Sequence, residues 1–208
     1  MTDKKVIEEI EVKEMLKKYG INVPDGILVR DLPEKIDLPY PLVLKVSDPN
    51  ILHKSDVGGV ILNIKNYDEL ALKFKEMKGR FPKSNFLIES MEKPGVEIII
   101  GLIQDKTFGL SIMFGLGGIF TELYKDVSFR LVPIEEYDAK EMVEEIKAKK
   151  LFEGFRNIKA DKNKVIDLLM KVSSFGMDHY NSIDQLDLNP VIVREDKAVV
   201  VDAKLIMK

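Results

Sequence analysis

The residues able to do chemistry are a lysine closing an apolar run, a histidine on a polar loop, a glycine pair and a late set of oxygen donors. Lys45 ends PLVLK, which predicts a strand tip with its ammonium near the glycine turn that follows. A lysine so placed is ordinarily just a solvated strand end. The turn is DVGGV, Asp56 to Val60, set before the apolar run VILNI. Gly58 and Gly59 there would let backbone amides approach a ligand phosphate with no Cβ in the way. A plain hairpin turn uses the same pair, so both readings stand at this point. Asn189 and Asp202 fall in LDLNPVIV and AVVVDAKL, two runs joined by the short EDK. Oxygen donors side by side on such a hairpin suit Mg²⁺, which takes one or two carboxylates and completes its octahedron with phosphate and water. Taken singly, each is an ordinary turn or strand-edge residue.

Other chemistries lose support. The chain has no Cys, which excludes disulfides, zinc-thiolate sites, iron-sulfur clusters and thiol catalysis. His53 and His179 are the only histidines and neither has a spaced partner, which weakens the case for catalytic triads and His-based metal sites. GLGGIF, with Gly115, Gly117 and Gly118, begins like a dinucleotide fingerprint, but Phe120 occupies the place of its last glycine and no amphipathic helix follows. No Gly-Lys-Ser or Gly-Lys-Thr triplet exists for a Walker A loop. Lys plus Arg number 32 against 35 Asp plus Glu, so no global positive field is available for a nucleic-acid backbone. A composition of 45% hydrophobic and 32% charged residues describes a globular chain, neither disordered nor membrane-spanning. Charges interrupt every apolar stretch of MTDKKVIEEIEVKEML, so no signal peptide is expected and the protein is read as cytoplasmic.

The elements that must position these residues alternate between helix and strand. Helical spacing over Val6 to Tyr19 predicts a first helix stopped by Gly20. Prolines 24, 33, 39 and 41 then suit short strands, GILVR and PLVLKV. A helix over Asp68 to Lys78 puts Leu70, Phe74 and Met77 on one stripe. FLIES, VEIIIGLI and LSIMF read as strands, YDAKEMVEEIKAK and DKNKVIDLLMKVSSF as helices, and the LDLNPVIV and AVVVDAKL runs as closing strands. No repeat or Gly/Ser linker separates beads, so two interlocked lobes of mixed α/β (α+β) character are expected.

In order along the chain, PLVLKVSDPNILHKSDVGGVILNI, GVEIIIGLIQDKTFG, MFGLGGIFTELYKDVSFRLVPI and LDLNPVIV with VVVDAKL resemble one family. It is the ATP-grasp (beta) subunit of archaeal-type ADP-forming acetate-CoA ligases, related to the succinyl-CoA synthetase beta chain. The resemblance implies the ATP-grasp fold, two lobes clamping a nucleotide, with residues 21–90 as the smaller lobe and residues 1–20 and 91–208 as the larger. It implies that Lys45 neutralises nucleotide phosphates and that Gly58 and Gly59 form the turn closing over them. Glu89 would lie near the adenine amine and Glu97 near the ribose, while Asn189 and Asp202 match Mg²⁺ ligands. His53 would relay phosphate, received from a histidine of an alpha subunit, to ADP. Asp187 stands where an acidic residue helps hold the phosphohistidine, or is a plain strand-edge carboxylate. An imidazole suits such a relay, because an ordinary pKa of about 6.5 leaves a neutral nucleophilic nitrogen near neutral pH.

The implied reaction is acyl-CoA + ADP + Pi ⇌ acid + CoA + ATP. The implied partner is an alpha subunit carrying CoA-binding and phosphohistidine domains, assembled as α2β2, with no nucleic acid and no membrane involved. Alternatives are an ATP-grasp carboxylate-amine ligase, which needs no relay histidine, and a non-catalytic nucleotide-binding regulatory module. Leu110, Asn157 and Gln185 depart from the pattern expected of the family, and none of them is a phosphate or metal ligand.

Overall fold

The computed structural model describes residues 4–51, 53–117, 126–153 and 160–208. The chain divides into two compact units, Pro24–Lys93 and the remainder made of Met1–Val23 with Pro94–Lys208. Each unit has its own hydrophobic core.

In the smaller unit, β2 (Gly26–Val29), β3 (Leu42–Ser47), β4 (Val60–Ile64) and β5 (Asn85–Ser90) form an antiparallel sheet in the order β2-β5-β3-β4. Helix α2 (Tyr67–Arg80) starts at Asn66, whose side chain accepts the Glu69 N–H at 2.9 Å. Asp68 and Glu69 in the first turn and Lys78 and Arg80 in the last complement the helix dipole. Its stripe of Leu70, Phe74 and Met77 packs on Leu42, Leu44, Val46, Phe86 and Ile88, the inward face of β3 and β5. Each such side chain contributes about 1.5–3 kcal/mol on burial.

The larger unit is a sheet whose order, among the described residues, is β1-β11-β9-β6-β7-β8. The strands are β1 (Lys5–Ile7), β6 (Val96–Asp105), β7 (Gly109–Leu116), β8 (Val127–Leu131), β9 (Ile183–Val193) and β11 (Ala203–Met207). The short β10 (Ala198–Val200) pairs with β9. Helices α1 (Glu9–Lys17), α3 (Glu136–Glu145) and α4 (Lys162–Asp178) supply the apolar residues that cover the sheet. Period-two burial along β6, with Val96, Ile98, Ile100 and Leu102 buried, sets that face.

Some expectations shift. Residues 5–7 are not helical: they pair antiparallel with Leu205–Met207 at the far end of the chain, and the first helix begins only at Glu9. The helix expected to run through KAK stops at Glu145 and gives way to a 3₁₀ segment, Lys147–Glu153. AVVVDAKL is not one strand but two, broken at Val201–Asp202. His179 ends α4, its ring stacked on Phe175 with centroids 4.4 Å apart and its Nδ1 2.9 Å from the Phe175 carbonyl, so it serves structure.

Candidate functional site

Lys45 is not at a strand tip. β3 continues to Ser47, because Val46 N–H donates to the Gly59 carbonyl at 2.8 Å and the β3–β5 register runs on through Ser47 opposite Asn85. Lys45 therefore sits inside the strand, 6% exposed, with its ammonium 2.8 Å from the Glu89 carboxylate. Glu89 is 1% exposed and pairs across the ladder with Val43, one diagonal step from Lys45 on the face opposite α2. Glu89 is thus the immediate counter-ion of the lysine. Gly26 makes room for it: a Cβ at that position would meet the Glu89 Cγ at 2.7 Å.

The glycine turn is built differently from the simplest phosphate cradle. Gly59 N–H donates to the Lys54 carbonyl at 2.7 Å and Gly58 N–H to the Ser55 carbonyl at 3.0 Å, so both amides are engaged within the turn. Gly58 adopts φ +60°, a left-handed conformation that favours glycine. A Cβ on Gly59 would lie 2.5 Å from Val46 Cγ1, so its role is close packing of the turn on β3. Arg80, at the end of α2, donates to the carbonyls of Gly58 and Val57 and latches the turn from outside. Sequence reasoning did not single out Arg80, although a basic residue in the last turn of a helix was a signal to examine.

His53 is exposed on the loop between β3 and this turn. The start of the loop is anchored by Asp48. Its carboxylate accepts the Asn50 N–H at 3.0 Å and the Ser84 hydroxyl at 2.7 Å. The Asn50 N–H, followed by the Ser84 hydroxyl, holds the Asp48 carboxyl below its ordinary pKa.

In the larger unit, Glu97 is exposed on β6 opposite Ile192, and its carbonyl accepts the Gly117 N–H at 2.8 Å, which fixes the start of the GLGG segment. Gly118 and Phe120, like Asn157, lie outside the described residues. Asp187 lies on β9 between Gly101 of β6 and Lys204 of β11. Two residues further on, the β6–β9 register slips: Ile100 pairs with Leu188 but Ile98 with Val191. β9 carries one extra residue there, a bulge at Asn189-Pro190 that re-aims Asn189 and leaves it exposed.

The bulge meets the break between β10 and β11. Asn189 N–H donates to the Asp202 carbonyl and Val201 N–H to the Pro190 carbonyl, both at 3.1 Å. Two backbone hydrogen bonds thereby set Asn189 and Asp202 opposite one another. Among the described residues no cluster of three His, Asp or Glu side chains forms a closed metal cage. An amide and one carboxylate fit Mg²⁺, which keeps waters and phosphate oxygens for its remaining positions.

A family model for the ATP-grasp domain matches residues 1–207. The beta subunit of ADP-forming acetate-CoA ligase II from Pyrococcus furiosus is 44% identical over 214 residues, covering 96% of this chain and 91% of that protein. ADP-forming acetate-CoA ligase II of Archaeoglobus fulgidus is 43% identical, and there this chain spans 30% of a longer polypeptide. A dinucleotide-forming acetyl-coenzyme A synthetase from Ca. Korarchaeum cryptofilum shares 39% identity with a TM-score of 0.87, covering 98% of this chain and 93% of that one. That structure holds coenzyme A and Mg-AMPPCP, with a phosphohistidine segment pointing towards the nucleotide-binding site. The buried Lys45–Glu89 pair, the glycine turn and the paired oxygen donors therefore belong to an ATP-grasp chain of the ADP-forming acetate-CoA ligase beta-subunit family.

Proposed function

We propose that this chain is the nucleotide-binding catalytic subunit of a cytoplasmic ADP-forming acyl-CoA synthetase. The reaction is acyl-CoA + ADP + Pi ⇌ acid + CoA + ATP, with phosphate passing through a histidine relay. Membership of the ligase family supports the reaction class. The single observation that carries the local assignment is the hydrogen-bonded meeting of the β9 bulge with the β10–β11 break, which pairs Asn189 with Asp202.

In this reading Lys45 receives nucleotide phosphate charge. Gly58 and Gly59 shape the turn near it, Glu89 and Glu97 attend the nucleoside, and Asn189 and Asp202 hold Mg²⁺. The metal supplies charge neutralisation on phosphate oxygens, which with positioning is most of what phosphoryl transfer needs. Glu89 is engaged with Lys45 in this structure, so its service to adenine requires the pair to rearrange or the contact to come from its backbone. His53 attacks the phosphorus of a partner's phosphohistidine. An N–P bond forms on His53 as the partner's N–P bond breaks, and the ADP β-phosphate oxygen then takes the phosphoryl group and frees the imidazole. Asp187 steadies the phosphorylated ring. The partner is an alpha subunit carrying CoA-binding and phosphohistidine domains, assembled as α2β2; the longer Archaeoglobus chain, of which this one matches a part, supports a joint machine.

The test is phosphate labelling. Wild-type chain, assembled with its partner and given γ-labelled ATP, is expected to carry an acid-labile phosphohistidine. His53→Asn is expected to keep nucleotide affinity and thermal stability, lose the label and slow turnover by at least about two orders of magnitude. Turnover within a few-fold of wild type would mean that phosphate moves directly between the partner's histidine and nucleotide. An amide product in place of acyl-CoA, with the label released as inorganic phosphate and none on histidine, would favour a carboxylate-amine ligase.

A further inference from the structure

We propose that Lys13, held by Glu9, positions the Val201–Asp202 segment for metal binding from the first helix. The inference rests on the reading that Asn189 and Asp202 hold Mg²⁺. Lys13 lies on α1, and its side chain is 1% exposed. Its ammonium is 2.7 Å from the Glu9 carboxylate one turn earlier and donates to the Val201 carbonyl at 2.9 Å. That carbonyl belongs to the peptide joining Val201 to Asp202, so a side chain near the start of the sequence grips the backbone beside a proposed ligand near its end.

Burying a lysine and a glutamate is expensive, and an apolar pair of similar volume commonly serves packing as well or better. What an apolar pair cannot do is bond the Val201 carbonyl. That group lies where the strand is broken, between β10 and β11, and the sheet ladder does not fix it there. Among the contacts that hold the segment with Lys13 in place are Val201 N–H to Pro190, Val201 C=O to Lys13, and Asp202 C=O to Asn189 N–H. The backbone that aims the Asp202 carboxylate is fixed before any metal arrives. The charges also agree in sign. Glu9 offsets the charge that the ammonium would otherwise set near a divalent cation. Groups that orient a metal ligand in this way typically contribute 10- to 100-fold to affinity.

The experiment measures ADP affinity of the full chain by calorimetry, with and without Mg²⁺, so that the gain due to metal is read apart from turnover. The double variant Glu9→Gln with Lys13→Met removes the pair without stranding a buried charge. It is expected to lose about tenfold or more of the Mg²⁺-dependent gain while metal-free ADP binds within about twofold of wild type. Lys13→Gln, whose shorter arm stays beside Glu9 but falls short of Val201, is the second variant with the same expected loss. Lys13→Arg, which keeps a cationic donor, is expected to restore most of the gain. Asp202→Asn is the reference. If it abolishes the gain while the double variant and Lys13→Gln keep it, Lys13 only anchors the helix and the inference fails. Equal losses with and without metal would likewise make it a general structural residue. If Asp202→Asn leaves the gain intact, the metal reading fails first and takes this one with it.

Discussion

Lys45 and Glu89 show how one buried pair changes what a substitution means. Had the lysine stood at a solvated strand tip, Lys45→Ala would have tested phosphate binding with little effect on the fold. In β3 it removes the ammonium 2.8 Å from the buried Glu89 carboxylate, and breaking a buried pair of this kind costs about 3–5 kcal/mol. Lys45→Ala is therefore expected to lower the thermal midpoint by well over the scatter of a melt, and its weaker ADP binding would be uninterpretable alone. Lys45→Met combined with Glu89→Gln removes the pair without stranding a buried charge and is expected to melt near wild type while its affinity for ADP falls at least tenfold, with Glu89→Gln alone measuring the share owed to Glu89. A double variant that binds ADP as tightly as wild type would remove Lys45 from the phosphate site. The lysine was legible in the sequence as a chemical residue at the end of an apolar run. Its partner was not, because Glu89 lies on another strand and the pairing follows from a diagonal step in the β3–β5 ladder.

At the scale of the element, the loop from Asp48 to Gly59 carries His53 between two anchors of different chemistry. The Arg80 latch on the glycine turn depends little on pH, while the Asp48 turn depends on a carboxylate. The Asp48 carboxyl has its pKa lowered on folding, so its stabilising contribution is complete above the unfolded value near 3.8 and is lost as pH falls through the lower folded value. Asp48→Asn should then destabilise the chain most at neutral pH, with the gap from wild type closing as pH drops below about 4. Urea melts of both chains at neutral and acid pH check this, and a gap that stays constant across the range would contradict it. The same loop shows where sequence reading stops. HKSDVGG announced a functional turn, yet which way the Gly58 and Gly59 amides point depends on carbonyl partners at Ser55 and Lys54 that spacing does not specify. The strand at Lys5–Ile7 was equally hidden: local periodicity favoured a helix, and pairing with the opposite end of the chain prevailed. The β9 bulge had a local sign in Asn-Pro, but its meaning came only from the register against β6.

At the scale of the whole molecule, the two cores divide the proposed labour. The smaller unit bears Lys45, His53, Gly58, Gly59 and Glu89, and the larger bears Glu97, Asp187, Asn189 and Asp202. In the proposed reading the nucleotide and metal groups lie on this chain, and the CoA chemistry is supplied by the alpha subunit. We therefore expect the purified chain to bind Mg-ADP and yet form no acyl-CoA from acid, CoA and ATP. Adding an alpha subunit with CoA-binding and phosphohistidine domains should restore turnover, and the restored activity should track formation of a complex containing two copies of each chain. Sedimentation of the mixture alongside the assay separates the outcomes. Activity with the partner but at another stoichiometry would revise only the assembly. Turnover by the single chain at a rate comparable to the complex would show that the acyl-CoA chemistry resides here after all.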